Sequence, residues 1–164
     1  VSDLHSEYIR LPITTRIATP DDCEYLTQLC LRSKQSNGYD DAFMEACRHE
    51  LTVTTETLKE NECWVASTDS EICGCGCLSI DALDNTGEIS LFFVDPNWQR
   101  QGVGTTLWQT LLRRTHHHKL RELILDADPS AVAFYETLGF TVTGQSASGS
   151  IPGRYLPRMR LKTA

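Results

Sequence analysis

The sequence has no apolar run approaching the roughly 20 residues a helix needs to cross a bilayer. Its first stretch, Val1 to Arg16, carries acids and lacks the apolar block of a secretory leader. Basic residues are in deficit: 15 Lys and Arg stand against 22 Asp and Glu, a net charge of −7. That balance disfavours an electrostatic grip on nucleic acid or an anionic membrane. No repeat, low-complexity tract or linker divides the chain, so its 164 residues read as one domain, 1–164, with the cytoplasm as the expected location.

Also missing is any C-x-x-C pair among the seven cysteines, which argues against a structural zinc site. Cys73, Cys75 and Cys77 alternate with glycines, so on a strand they are expected to share one face as small core residues. Cys23, Cys30, Cys47 and Cys63 fall on apolar positions of expected elements, and all seven are expected to be reduced. The run His116-His117-His118 falls in the last turn of an expected helix, where the helix dipole favours imidazolium. No metal is expected.

What the sequence does contain is an alternation of strand-like and helix-like segments, which indicates an α/β fold. After a strand at Thr14–Ala18, Thr19-Pro20-Asp21-Asp22 supplies a cap, a first-turn proline and first-turn acids for a helix to about Arg32. Asn37-Gly38 breaks it. A second helix is expected over Asp40–Glu50 with Phe43, Ala46 and Cys47 inward, then a short helical turn at Thr55–Lys59. Strands at Cys63–Ser67, Ile72–Ile80 and Glu88–Val94, separated by turn residues, form an antiparallel meander. A helix over Gly104–His117 with Val103, Leu107 and Leu111 on its buried stripe leads to a strand at Glu122–Ala127. This crossover makes the strands before and after it parallel. Asp128-Pro129 starts a further helix, which Gly139 ends, and Phe140–Gly144 and Arg158–Lys162 close the sheet.

The stretch between the third meander strand and the long helix carries chemistry. Gly102 and Gly104 let the backbone turn tightly and approach a ligand. The first-turn N–H groups of the helix have no partners within it, which suits a diphosphate. Leu107 occupies the position where a dinucleotide fingerprint would need its third glycine, and no Gly-Lys-Ser/Thr follows as in a Walker loop.

Gln99-x-x-Gly102-x-Gly104 after Val94-x-Pro96, and the later block from Asp128 to Phe140 containing Ala131, Phe134, Tyr135 and Gly139, together resemble the GCN5-related N-acetyltransferase (GNAT) family. The likeness covers Glu88 to Phe140 directly. It implies a mixed, mostly antiparallel sheet with a central parallel, splayed strand pair flanked by about four helices. It further implies acetyl-CoA as cofactor, coenzyme A as product and an amine as acceptor. Main-chain groups of Phe92, Phe93 and Val94 would pair with the pantetheine arm, and the amides of Arg100, Gln101, Gly102, Val103, Gly104 and Thr105 would hold the pyrophosphate. Gln99 would order the loop, and the side chains of Arg100 and Gln101 would reach the phosphates. Tyr135 matches the tyrosine that protonates the departing thiolate, although the same spacing also describes a core aromatic. Glu88 matches a glutamate that relays the amine's proton through water, and equally reads as a solvated acid at a strand start. Asp126 is a further candidate base. Asp128 departs from the asparagine that many members place against the pantetheine.

The acceptor pocket implied by the resemblance spans residues 31–50 and 144–155. Asp40, Asp41, Glu45 and Glu50 would suit a cationic amine or form an ordinary solvated helix face, whereas Arg154 would suit a carboxylate. A non-catalytic acyl-CoA-binding module is the alternative function. It would keep the glycine loop and need no Tyr135. A homodimer is compatible with the sequence, with the cysteine-rich strand or the final strand as pairing elements.

Overall fold

A computed structural model describes residues 12–164, so the reading of Val1 to Arg16 falls largely outside the described residues. Seven strands form one sheet in the order β1-β2-β3-β4-β5-β7-β6. Strands β1 (Thr14–Ile17), β2 (Glu62–Ser67), β3 (Ile72–Asp81) and β4 (Thr86–Val94) make the antiparallel meander. Strand β5 (Glu122–Asp126) is parallel to β4, and β6 (Thr141–Ala147) and β7 (Tyr155–Lys162) complete the antiparallel second half.

Helices α1 (Cys23–Gln35) and α2 (Asp41–Leu51) cover one face of the sheet, where Leu26, Leu29, Met44 and Leu51 pack on Val65, Cys75, Cys77 and Leu91. The short α3 (Thr55–Glu60) precedes β2. Helices α4 (Val103–His117) and α5 (Val132–Thr137) cover the other face, where Trp108 and Leu111 pack with Leu78, Leu123, Phe140 and Met159. The described residues thus hold five α-helices, α3 being the short helical turn expected at Thr55–Lys59 beside about four others.

Three details differ from the sequence reading. In α2 the buried stripe is Met44, Cys47 and Leu51, and Ala46 is exposed. The Asp40 side chain accepts the N–H of Phe43, and the helix it caps turns Met44 rather than Ala46 inward. In β3, Ala66 faces Gly74 while Ser67 faces Ile72, so Cys73 is an extra residue in a bulge. It therefore packs with Ala66, Val103 and Leu107, apart from Cys75 and Cys77. Finally, β3 and β7 both lie inside the sheet with both edges paired. The sheet edges belong to β1 and β6, so neither the cysteine-rich strand nor the last strand offers an edge for dimerisation.

The glycines between the cysteines set the spacing of α4. A Cβ on Gly74 would stand 2.8 Å from Val103 and 3.0 Å from Leu107, and one on Gly76 would stand 3.1 Å from Leu111. Their absence of side chains lets α4 settle close on β3. That contact fixes the helix whose start forms the site described below.

Two ion-paired carboxylates fasten elements together, Asp22 locally between β1 and the start of α1 and Glu62 across the chain between β2 and α4. Asp22 accepts both terminal nitrogens of Arg16 at 2.7 and 2.9 Å, and that bond holds its carboxyl at about 2. Burial would raise Glu62, but hydrogen bonds from Arg114, His118 and Trp64 outweigh it and hold it at about 2 as well. His118 of the histidine run therefore serves a side-chain bridge between α4 and β2. In an unfolded chain these carboxyls would titrate near pH 4. Their folded values lie below that, so their stabilisation is present above about pH 4 and is lost as pH falls toward 2. Each contributes on the order of 2 kcal/mol. Acid unfolding followed by circular dichroism is expected to set in between about pH 4 and 2; a melting temperature unchanged down to pH 2 would contradict it.

Candidate active site

The sheet opens at its centre. Strand β5 pairs with β4 only over Thr86–Glu88 against Glu122–Ile124. Beyond that point β5 stays with β7, and β4 runs on to Val94 paired with β3 alone. The register between β3 and β4 slips as the strands part: Cys77 faces Leu91 and Leu78 faces Ile89, leaving Ser90 as the extra residue of a bulge. The bulge bends β4 away from its parallel neighbour. From Ile89 to Val94 the edge of β4 toward β5 is left without a strand partner.

A cavity of about 790 Å³ occupies this wedge. One end is the loop between β4 and α4. Asp95 is buried there; its carboxylate accepts Arg32 of α1 at 2.8 Å and the N–H of Asn97 at 3.0 Å, which anchors the start of the loop. The Gln99 amide donates to the Val94 carbonyl at 3.4 Å, across the loop. Arg100 and Gly102 both have positive φ, 61° and 83°. These two left-handed residues flank Gln101 where the loop turns into the start of α4. Gly102 is the N-cap of α4 and offers no side-chain cap, so the first-turn amides of this 15-residue helix have no side-chain acceptor on their own cap.

Phe92, Phe93, Val94, Gln99, Arg100, Gly102, Val103, Gly104, Thr105 and Asp128 all line the cavity, as do Tyr135 and Glu88. Gln101 does not; its side-chain amide donates back to the Asn97 carbonyl at 3.4 Å. Glu88 is exposed at the point where β4 and β5 part, opposite Ile124. Asp126 also lines the cavity, but Arg158 binds its carboxylate at 3.0 Å.

Tyr135 is at once a core aromatic and a residue of the cavity wall. It is buried, with its ring at edge-on angles to Phe92, Phe134 and Phe140, and it borders the cavity. Burial, reinforced by the negative charge of Asp128, pushes its hydroxyl well above the usual tyrosine value, so it holds its proton.

The β5–α5 side of the cavity brings Asp128 together with Lys34, Tyr39 and Arg154, of which the sequence pointed to Arg154 as a carboxylate binder. The Asp128 Oδ2 accepts the Tyr39 hydroxyl at 2.7 Å and the Lys34 ammonium at 3.3 Å. Its Oδ1 accepts the Ser130 N–H at 3.0 Å and the Ser130 hydroxyl at 2.7 Å. Burial would raise the Asp128 carboxyl, but these bonds and the Lys34 charge prevail and hold it at about 2. Arg154, from the loop between β6 and β7, donates to the Tyr39 oxygen at 2.7 Å. Of the four acids expected around this pocket, only Glu50 lines the cavity. Asp40 caps α2, Asp41 accepts from Gln35, and Glu45 pairs with Arg48. For those three the solvated-face reading holds.

A wedge beside an uncapped helix start is a geometry several ligand classes could use, and comparison with known proteins narrows it. Residues 30–150 match the acetyltransferase (GNAT) domain. The chain belongs to the GNAT acetyltransferases. Among GNAT relatives, the peptidyl-lysine N-acetyltransferase YjaB of Salmonella typhimurium is 30% identical over 151 residues, 91% of this chain and 97% of that protein. Human N-acetyltransferase 8 is 35% identical over 114 residues, 63% of this chain; the chain spans about half, 49%, of that relative's length. The GNAT fold is matched by the PaiA N-acetyltransferase of Thermoplasma acidophilum, solved in complex with coenzyme A. It has a TM-score of 0.76 at 21% identity and is aligned over 92% of this chain and 99% of that one. No helix among the described residues of this GNAT chain is long and apolar enough to cross a membrane.

Proposed function

We propose that this chain transfers an acetyl group from acetyl-CoA to a primary amine by direct attack, with Tyr135 as general acid. The observation that carries the proposal is the continuity of the open β4 edge with the uncapped start of α4 along one cavity. Such an edge can take an extended amide-bearing arm as an added strand. The helix start, with Arg100 and Gly102 turned into left-handed geometry, can take a diphosphate. A dinucleotide or a nucleoside triphosphate would use the helix start and leave the strand edge unexplained.

The residues that would hold acetyl-CoA are the main chain of Phe92, Phe93 and Val94 and the amides of Gly102, Val103, Gly104 and Thr105. Bound there, acetyl-CoA would supply a thioester carbonyl for attack. Tyr135 keeps its proton at neutral pH and would deliver it to the leaving sulfur. The acceptor amine must lose a proton to attack, and Glu88, exposed where the strands part, would take it through water. Asp126 is engaged by Arg158 and is the weaker candidate.

Calorimetric titration with acetyl-CoA, coenzyme A and NAD tests this reading. Saturable binding of both coenzyme A forms, with dissociation constants on the order of micromolar, and no NAD binding are expected. Absence of binding to either coenzyme A form would refute it. Release of free thiol in the presence of amines separates catalysis from a purely regulatory acyl-CoA-binding module.

A further inference from the structure

The cluster around Asp128 carries more positive charge than it neutralises. Two cations, Lys34 and Arg154, share the single carboxylate of Asp128, at 3.3 and 3.7 Å. All three side chains are largely withdrawn from water, with exposures of 13%, 18% and 14% for Lys34, Arg154 and Asp128. Withdrawn charge is costly unless matched, and here one positive charge is left over. Glu50 reaches toward Gly149 and makes no ion pair with either cation.

Hydrogen-bond capacity is left over as well. A guanidinium has five N–H donors and an ammonium three. Among the described residues, Arg154 uses one, toward the Tyr39 hydroxyl, and Lys34 uses one, toward Asp128. Both cations are nonetheless held in place. The rings of Tyr39 and Phe43 stack at 4.0 Å and 8°. The Arg154 guanidinium lies 4.9 Å from the centre of Phe43 and 5.2 Å from that of Tyr39, with Lys34 5.4 Å from Tyr39. Cation–ring contacts of this kind fix a charge without neutralising it. Lys34 and Asp128 border the cavity directly, facing the same space as Tyr135 and Glu88.

We infer that the acceptor is an amine that also carries a carboxylate, and that the carboxylate is received by Lys34 with Arg154 beside it. The inference rests on the transferase reading. Asp128 is the positioning residue: its four accepted hydrogen bonds hold Lys34, Tyr39 and the start of the β5–α5 loop in register. A cationic amine gains nothing beside this cluster, whereas an amino acid presents an anion to the cations and leaves its amine for Glu88 and the thioester.

The test is a thiol-release assay with matched acceptors: L-methionine against 3-(methylthio)propylamine, L-phenylalanine against phenethylamine, and β-alanine against ethylamine, with O-phosphoethanolamine and a lysine peptide amide as further arms. At least one amino acid is expected to exceed its carboxylate-free partner by about 10- to 100-fold in kcat/KM, the worth of one charge-assisted contact. Lys34→Gln is expected to erase that ratio and Arg154→Gln to lower it, both through KM, with acetyl-CoA affinity by calorimetry unchanged, whereas Arg154→Lys is expected to retain most of it. Arg154→Lys keeps the charge and removes only the fork, so it guards against a folding artefact. Carboxylate-free amines equal to or better than their partners would overturn the inference. So would a preference for phosphoethanolamine or the lysine peptide, or no turnover of any member while acetyl-CoA binds. Failure of acetyl-CoA itself to bind would instead remove the transferase reading, and this inference with it.

Discussion

Tyr135→Phe is expected to lower kcat by about 100-fold while leaving acetyl-CoA affinity and stability nearly unchanged. The ring sits among Phe92, Phe134 and Phe140, and phenylalanine keeps those contacts. The hydroxyl makes no hydrogen bond to any described residue, so its removal orphans no partner. A merely structural role therefore predicts almost no effect, and general acid catalysis predicts a large one. Steady-state thiol release with calorimetry of acetyl-CoA decides between them, and a near-normal rate would take Tyr135 out of the mechanism. The pH profile gives a second readout. Burial and the Asp128 charge raise the Tyr135 value, so the protonated form persists above the ordinary tyrosine range. No loss of kcat through this group is expected below about pH 10 in the wild type.

How far the chain could be read in advance follows from how local each determinant is. The α4 start was legible because its causes lie within a few residues: a proline-ended strand, two glycines and a periodic apolar stripe at Val103, Leu107 and Leu111. The parallel β4–β5 pair was legible from the crossover rule. The bulges at Cys73 and Ser90 were not, because a bulge belongs to a pairing between strands and neither residue announces it. The cysteine alternation was therefore right for Cys75 and Cys77 and wrong for Cys73. The stripe of α2 was misjudged at Ala46 for a related reason: Ala46 fits a helical period as well as Met44 and Leu51 do, and only packing on the sheet chooses between them, while Phe43 is half-buried against the same core as expected. The cluster at Asp128 was beyond local reading altogether. Tyr39 and Asp128 are separated by 89 residues, and Tyr39 and Arg154 by 115. One signal was Asp128 at a position where the family resemblance implies asparagine in many members, an exchange that adds a charge and so calls for a cation nearby.

Gly102→Val should abolish measurable acetyl-CoA binding, a weakening of about 100-fold or more. Two causes act together. Gly102 sits at φ 83°, where an L residue is strained by roughly 1–2 kcal/mol and a β-branched one by more. A Cβ there would meet no protein atom within 4 Å, so the side chain enters open space at the start of α4, where the diphosphate would lie. Loss of two charge-assisted amide contacts, at about 1.5–3 kcal/mol each, is enough for the expected change. Gly153→Val separates the causes. Gly153 has a similar φ of 78° and likewise nothing within 4 Å of its Cβ, but it lies in the β6–β7 loop away from α4. The two variants should lose similar stability in thermal melts, and only Gly102→Val should lose acetyl-CoA in calorimetry. Equal affinity in both would mean that the glycine loop does not hold the diphosphate. Equal loss in both would mean that backbone strain, and not the approach to the α4 amides, is what Gly102 relieves.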